Sequence, residues 1–130
     1  MQEILYVGAG GFLGACARFG ITRWLSALPV ALPCGTLLSN GIAGLLIGLV
    51  IGVESQTAPI SSGAKLFFIT GVLGGLSTFS TFSLETVHLF KAGRYLLATG
   101  NIALNLGLSL GGVLVGMALG RSLAKLLGMA

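Results

Sequence analysis

Four apolar stretches constrain this chain more than any other feature of its sequence. The second, third and fourth cover residues 31–53, 66–84 and 95–120, which gives 23, 19 and 26 residues without a charge. Because about 20 residues of helix cross the hydrocarbon core of a bilayer, each of these stretches can span a membrane. The first stretch, residues 4–25, spans only if it carries Arg18 with it, near its C-terminal end, where a long side chain can reach the interface.

The composition excludes a soluble globular protein. Hydrophobic residues make up 55% of the chain and charged residues only 8%, and the mean hydropathy is +1.02. This leaves too little polar surface to cover a soluble core. The sequence therefore predicts a single all-α transmembrane domain over residues 1–130, with helices at about 3–27, 32–53, 65–90 and 95–125.

The charges are few and evenly spread. The formal net charge is +4, but the seven Lys and Arg residues lie apart at predicted helix ends, which indicates membrane interfaces and not nucleic acid. Three fall on the side of the termini and three on the other: Lys65, Arg121 and Lys125, against Arg23, Lys91 and Arg94. This balance gives almost no bias in orientation, so two oppositely inserted copies could pair about a two-fold axis. The alternative is that so few charges do not decide the orientation.

The stretch from Ile69 to Glu85, ITGVLGGLSTFSTFSLE, is the most unusual part of the sequence. Gly74 and Gly75 weaken a helix at membrane depth, and backbone released there must be satisfied by protein, water or an ion. We expect a break in the third helix, whose free carbonyls around Gly74 and Ser77 could coordinate a cation. The alternative is that the hydroxyl residues bond back to the preceding turn of the helix. These residues are Ser77, Thr78, Ser80, Thr81, Ser83 and Thr86.

Polar residues also lie inside the second and fourth stretches. Asn40 lies in the second, and the fourth carries Asn101, Asn105 and Ser109 at positions i, i+4 and i+8, which places all three on one helix face. Amides in hydrocarbon are costly unless they face other helices or water. We favour a permeation pathway over the alternative, hydrogen bonds that only join helices.

The lining of such a pathway indicates what it carries. Amides and hydroxyls donate hydrogen bonds, and the edges of aromatic rings such as Phe79 and Phe82 are electropositive, although a Phe pair at this spacing is more often packing. The three carboxylates, Glu3, Glu54 and Glu85, all fall at the ends of predicted spans, which disfavours a cation pathway or proton relay. A small anion fits better, and Arg18 would attract it to one mouth. The sequence has no paired acids and no nucleophile beside a base, so it predicts no enzyme.

Three motifs of the chain resemble the Fluc (CrcB) family of fluoride channels. They are GGFLGACARF at residues 10–19, GTLLSN at residues 35–40 and GGLSTFSTFSLE at residues 74–85. Together with the length and the four spans, the resemblance covers essentially the whole chain. It implies a fluoride-selective channel of the bacterial inner membrane, which exports fluoride passively down its electrochemical gradient and confers fluoride resistance.

The resemblance also implies an assembly and a cofactor. The expected assembly is an antiparallel, dual-topology homodimer with two pores, so that the partners of this chain are fluoride, a second copy and membrane lipid. A structural Na+ is expected on the two-fold axis, held by the backbone carbonyls of Gly74 and Ser77 from both subunits.

Individual residues match the motifs of the family. Phe79 and Phe82 match its phenylalanine box, whose ring edges contact fluoride, and Asn40 matches its pore asparagine. The resemblance further places Ser80 and Thr81 on a polar track, Arg18 at the aqueous entrance and Glu85 at the close of the third motif. In the fourth span the family usually has aromatic or hydroxyl residues where Asn101 and Asn105 stand, so the polar stripe alone places Asn105 and Ser109 in the pore.

A coupled exporter is the rival to a channel. Small four-helix exporters, which exchange protons for a drug or for fluoride, also form antiparallel pairs. Such a coupled exporter needs an acid embedded in the membrane, and the predicted spans have none at their centres.

Overall fold

The computed structural model describes residues 1–128, and all regular secondary structure there is helical. We number them α1 (Gln2–Leu25), α2 (Cys34–Glu54), α3 (residues 62–76), α4 (Phe79–Lys91) and α5 (Tyr95–Leu126). The first part of α3 is α-helical, Leu66–Leu73 has wider π-helical turns, and Gly74–Leu76 is α-helical again. Four segments are long and apolar enough to cross a membrane: α1, α2, α3 with α4, and α5. The prediction of an all-α membrane protein with four spans is confirmed.

The turns between the helices follow from their local sequence. Ser26 closes α1 by donating its N–H to the carbonyl of Thr22 at 2.9 Å, so this helix ends two residues before the expected boundary at 27. Gly93, with φ of 72°, provides the left-handed residue for the tight turn between α4 and α5. At the opposite side of the membrane, Lys65 and Glu54 form an ion pair that joins the start of α3 to the end of α2.

Helices α2 and α5 pack backbone to backbone through glycines. A methyl group at Gly48 would overlap the carbonyl oxygen of Val113, and one at Gly116 would overlap that of Leu45. Small residues let two membrane helices approach this closely, and van der Waals contact between the backbones then stabilises the pair. The full set of interlocked glycines is Gly44, Gly48 and Gly52 on α2, with Gly112, Gly116 and Gly120 on α5.

A second glycine contact joins α1 to α3. Methyl groups at Gly10 and Gly14 would overlap the carbonyls of Phe67 and Val72, and one at Gly75 would lie 2.6 Å from the carbonyl of Gly11. The fold is therefore two glycine-packed helix pairs, with α4 lying against α5. The glycines that repeat every fourth residue on α2 and on α5 pack against each other within one chain, so they give no support for association between chains.

Candidate functional site

The third span changes conformation at two residues near its middle. Ser77 has φ −78° and ψ 153°, and Thr78 has φ −152° and ψ 119°, so both are extended between the end of α3 and the start of α4. Gly74 itself is helical, with φ −65° and ψ −36°. Thr78 caps α4, because its Oγ1 accepts a hydrogen bond from the N–H of Thr81 at 3.2 Å.

Asn40 of α2 binds the extended segment from the side. Its Oδ1 accepts a hydrogen bond from the N–H of Thr78 at 2.7 Å, and its Nδ2 donates to the carbonyl of the same residue at 3.2 Å. An amide side chain has a donor and an acceptor side by side, so it can replace both bonds that a helix would have formed there. Buried backbone groups without partners are costly at membrane depth, and Asn40 removes that cost for Thr78.

Arg18 of α1 binds the backbone just before the extended residues. Its Nε donates to the carbonyl of Gly75 at 3.1 Å, and the residue is half-buried. By contrast, neither the carbonyl of Gly74 nor that of Ser77 accepts a hydrogen bond from any residue between 1 and 128. Two backbone oxygens beside the extended residues thus have no hydrogen-bond donor in the part of the chain that the structure describes.

A groove of about 330 Å³ opens beside this segment, between α2, α4 and α5. The rings of Phe79 and Phe82 stand in it with centroids 5.4 Å apart at an interplanar angle of 60°. Phe82 is 8% exposed, whereas Phe79 is 75% exposed on the open side of the groove. The polar residues of the lining are Asn40, Ser77, Thr78, Asn105 and Ser109.

The structure thus brings five of the seven predicted pore residues into one groove. These are Asn40, Phe79, Phe82, Asn105 and Ser109. Ser80 and Thr81 lie on the first turn of α4 but do not line the groove. Local back-bonding, the alternative for the hydroxyls, is confirmed for two of them: Ser83 donates to the carbonyl of Phe79 and Thr86 to that of Phe82, both at 2.8 Å.

Asn105 and Asn101 form hydrogen bonds between helices and within α5. Asn105 accepts from Nδ2 of Asn40 at 2.9 Å and donates to Oδ1 of Asn101 at 3.0 Å. Asn101 in turn donates to Oγ1 of Thr86 on α4 at 2.9 Å and is fully buried. Asn105 therefore lines the groove and joins helices, whereas Asn101 only joins helices.

Glu85 lies toward the end of the third span, six residues before that span ends at Lys91. Its Oε1 accepts a hydrogen bond from Oγ1 of Thr36, a residue only 1% exposed. Glu85 lines a separate pocket, with His88 and Arg94, at the end of the molecule that holds the α1–α2 loop.

Thr36 and Thr86 were not among the predicted site residues. A signal existed for Thr36, because it lies four residues before Asn40 and so shares its helix face. Nothing distinguished Thr86 from the other hydroxyl residues of its segment, because its partner Asn101 lies on another helix.

Comparison with known proteins places the chain in one group. The family model for the CrcB-like protein, Camphor Resistance (CrcB), matches residues 5–117. The chain is 46% identical over 106 residues to the fluoride-specific ion channel FluC of Pseudomonas putida, covering 82% of this chain and 84% of that one. It is 46% identical over 104 residues to the FluC of Clostridium novyi, covering 79% and 81%, and 47% identical over 104 residues to that of Paraburkholderia phymatum, covering 80% and 82%.

Proposed function

This chain belongs to the CrcB-like family, and from that membership we propose that it is a fluoride-selective channel that lets fluoride leave the cell passively. The relatives are named as fluoride-specific ion channels, which agrees with the expectation that the chain is not an enzyme. The observation that carries the proposal for this molecule is the neutral groove in which Phe79, Phe82 and Asn105 meet. We place the channel in the bacterial inner membrane, where export would confer fluoride resistance.

The chemistry of the groove suits a small anion. Ring edges of Phe79 and Phe82 are electropositive, and Ser109 provides a hydroxyl donor. The residues that line the groove carry no charged side chain, so an ion can leave the groove as readily as it enters. Attraction by these groups strengthens as water is excluded, which replaces part of the hydration energy of the ion.

Asn40 has a more restricted role than that of a free donor. Both hydrogens of its Nδ2 are already directed at protein oxygens, at 3.2 Å and 2.9 Å. Fluoride at Asn40 would have to compete for one of them, and the longer bond, to the carbonyl of Thr78, is the weaker one. We therefore propose that Asn40 shares a hydrogen with the passing anion while it keeps its bond to Asn105.

A second copy of the chain is needed to close the groove. Asn40, Asn105 and Ser109 line a groove that opens on the outside of the single chain, where hydrocarbon would leave polar groups poorly solvated. The highly exposed ring of Phe79 lies at the same opening. We propose an antiparallel homodimer, since three cations on each side of the membrane allow insertion in both orientations.

The free carbonyls of Gly74 and Ser77 fit a Na+ site shared by two copies. Hard cations prefer several oxygen ligands, so the two oxygens from one chain are too few, and two copies would supply four. A second copy would supply the same two carbonyls across the two-fold axis. Gly74 is exposed and open around its Cα, which permits that approach.

The remaining predicted residues take supporting positions in this proposal. Arg18 adds positive potential at the aqueous entrance while its Nε holds the carbonyl of Gly75. Ser80 and Thr81 continue the polar track on α4 beyond the groove of the single chain. An exporter that exchanges protons is less well supported, because the relatives are named as channels.

Fluoride efflux from liposomes tests the function directly. Purified protein should release fluoride down its gradient with no pH gradient, and chloride under the same conditions should remain trapped. A coupled exporter would instead require a pH gradient and saturate. Release of both halides alike, or of neither, would contradict a fluoride-selective channel.

The dimer and its cation have a joint test. Removing Na+ during purification, with K+ in its place, is expected to lower the fraction of dimer measured by sizing in detergent, because four carbonyl dipoles would then face one another without a cation. An equal dimer fraction in both buffers would contradict the Na+ site.

Cysteine labelling tests the orientation of the chain in the membrane. Ala58→Cys in a chain with Cys16→Ala and Cys34→Ser should be labelled from both sides of sealed vesicles. Labelling from one side only would contradict dual topology.

A further inference from the structure

A chain of hydrogen bonds runs between the two ends of the first turn of α4. It begins at the N–H of Thr78, which donates to Asn40. It continues from Asn40 to Asn105 and from Asn105 to Asn101. It ends as Asn101 donates to Thr86, whose hydroxyl donates to the carbonyl of Phe82. We call these four side chains, Asn40, Asn105, Asn101 and Thr86, the amide ladder.

Every bond of the amide ladder points the same way. Each amide accepts at Oδ1 from the residue before it and donates through Nδ2 to the residue after it. Hydrogen bonds aligned in one direction polarise one another, and a buried chain of this kind is stronger than its separate bonds. Reversing one amide would place two donors or two acceptors face to face, so the ladder fixes the orientation of all three amides.

The side-chain N–H groups of the two asparagines that line the groove already donate to protein oxygens. Nδ2 of Asn40 donates to the carbonyl of Thr78 and to Asn105, and Nδ2 of Asn105 donates to the carbonyl and the Oδ1 of Asn101. Asn101 is 0% exposed and Thr86 is 6% exposed, and neither lines the groove. These two residues can therefore affect a permeating ion only through the groups that they hold.

We propose that Asn101 and Thr86 are positioning residues for fluoride permeation, which hold the first turn of α4 so that Phe82 and the backbone of Thr78 face the groove. This inference rests on the proposed channel function. The ladder binds both ends of that turn to α2 and α5, because it starts at Thr78 and returns at Phe82. Phe82 projects from α4 into the groove, so rotation of α4 about its axis would turn its ring edge away from the groove.

Thr86→Val tests the proposal against Thr86→Ser. Valine keeps the shape of threonine and removes the hydroxyl, so it cuts the ladder between Asn101 and Phe82, whereas serine keeps the link. We expect Thr86→Val to lower fluoride efflux by about fivefold or more, and Thr86→Ser to retain at least about half of it, as for loss and retention of a buried hydrogen bond. The dimer fraction, measured by sizing, should stay that of the unmodified chain in both variants.

Hydrogen exchange at the amide of Thr78 provides the readout that packing alone would not change. Thr78 lies at the other end of the ladder from Thr86, so Thr86→Val should speed its exchange while the amides of Val87 to Lys91, which lie farther along α4, keep their rates. Efflux at the unmodified rate in Thr86→Val, or equal loss in Thr86→Val and Thr86→Ser, would overturn the proposal. Unchanged exchange at Thr78 would overturn it as well.

A third variant and the unmodified protein serve as further controls. If Thr86→Val is not recovered as a dimer, Thr86→Ala removes the same hydroxyl with less bulk and is expected to give the same faster exchange at Thr78. Failure of the unmodified protein to conduct fluoride would count against the channel function. The exchange rates in the Val, Ala and Ser variants would still decide whether the ladder holds the interrupted segment.

Discussion

Replacing either Phe79 or Phe82 with isoleucine is expected to reduce fluoride efflux by about a hundredfold while leaving a folded dimer. Isoleucine is apolar and fills part of the same space, but it has no electropositive ring edge to offer an anion. In a site that excludes water, the loss of one fixed electrostatic contact typically costs about two orders of magnitude in rate. The measurement is initial fluoride efflux from liposomes, with sizing of each variant to count the dimer.

The chain contains a matched control for this substitution. Phe68 belongs to a second edge-to-face pair on the same span, with its ring centroid 4.9 Å from that of Phe67, and it lies outside the groove. Phe68→Ile is therefore expected to conduct as the unmodified protein does. Normal efflux in both Phe79→Ile and Phe82→Ile would contradict the ring-edge contacts. Equal losses in those variants and in Phe68→Ile would indicate a general effect on folding.

The four spans could be predicted because the physical requirement lies in consecutive residues. A stretch of about 20 apolar residues must cross the membrane whatever surrounds it, so the positions of α2 and α5 followed from hydropathy alone. The groove was partly predictable for a similar reason. Asn105 and Ser109 are polar in an apolar helix and lie one turn apart, so they had to face the same protein surface.

Which residues of the third span leave the helical conformation was less predictable. The sequence drew attention to Gly74 and Gly75, but Gly75 is helical and allows α1 to approach, since a methyl there would lie 2.6 Å from the carbonyl of Gly11. The extended residues are Ser77 and Thr78, where Asn40 replaces the lost backbone bonds. That contact joins residues 38 positions apart, so no local pattern contains it.

The hydrogen-bond partners of the asparagines could not be predicted for the same reason, because they lie far away in the sequence. The sequence left open whether they form a pathway or join helices, and the structure distinguishes the two residues: Asn105 lines the groove and joins helices, whereas Asn101 only joins helices. The pairing of Asn40 with Asn105 spans 65 residues. It depends on the glycine contact between α2 and α5, which sets how close the two helices come.

The glycine contact leads to the last prediction, in which one substitution has opposite effects at two places on α5. Gly116→Ala should lower the free energy of unfolding by about 1–3 kcal/mol, because the new methyl overlaps the backbone of α2 and the helices must separate. Gly107→Ala, with open space around it in the chain, should raise it by up to about 1 kcal/mol, since alanine favours a helix more than glycine does. Thermal unfolding in detergent, followed by the fluorescence of Trp24, compares the two.

The difference in unfolding temperature between Gly116→Ala and Gly107→Ala shows whether the close contact between α2 and α5 stabilises the fold. Composition, helix and added volume are the same in both variants, so only the distance to α2 distinguishes them. If the two variants unfold at the same temperature, the close backbone contact does not hold the pair together, and the geometry of the groove must be fixed by other contacts. If Gly116→Ala alone is destabilised, it should also lose fluoride efflux, because separating α2 from α5 pulls Asn40 away from Asn105 and opens the amide ladder at its first interhelical bond.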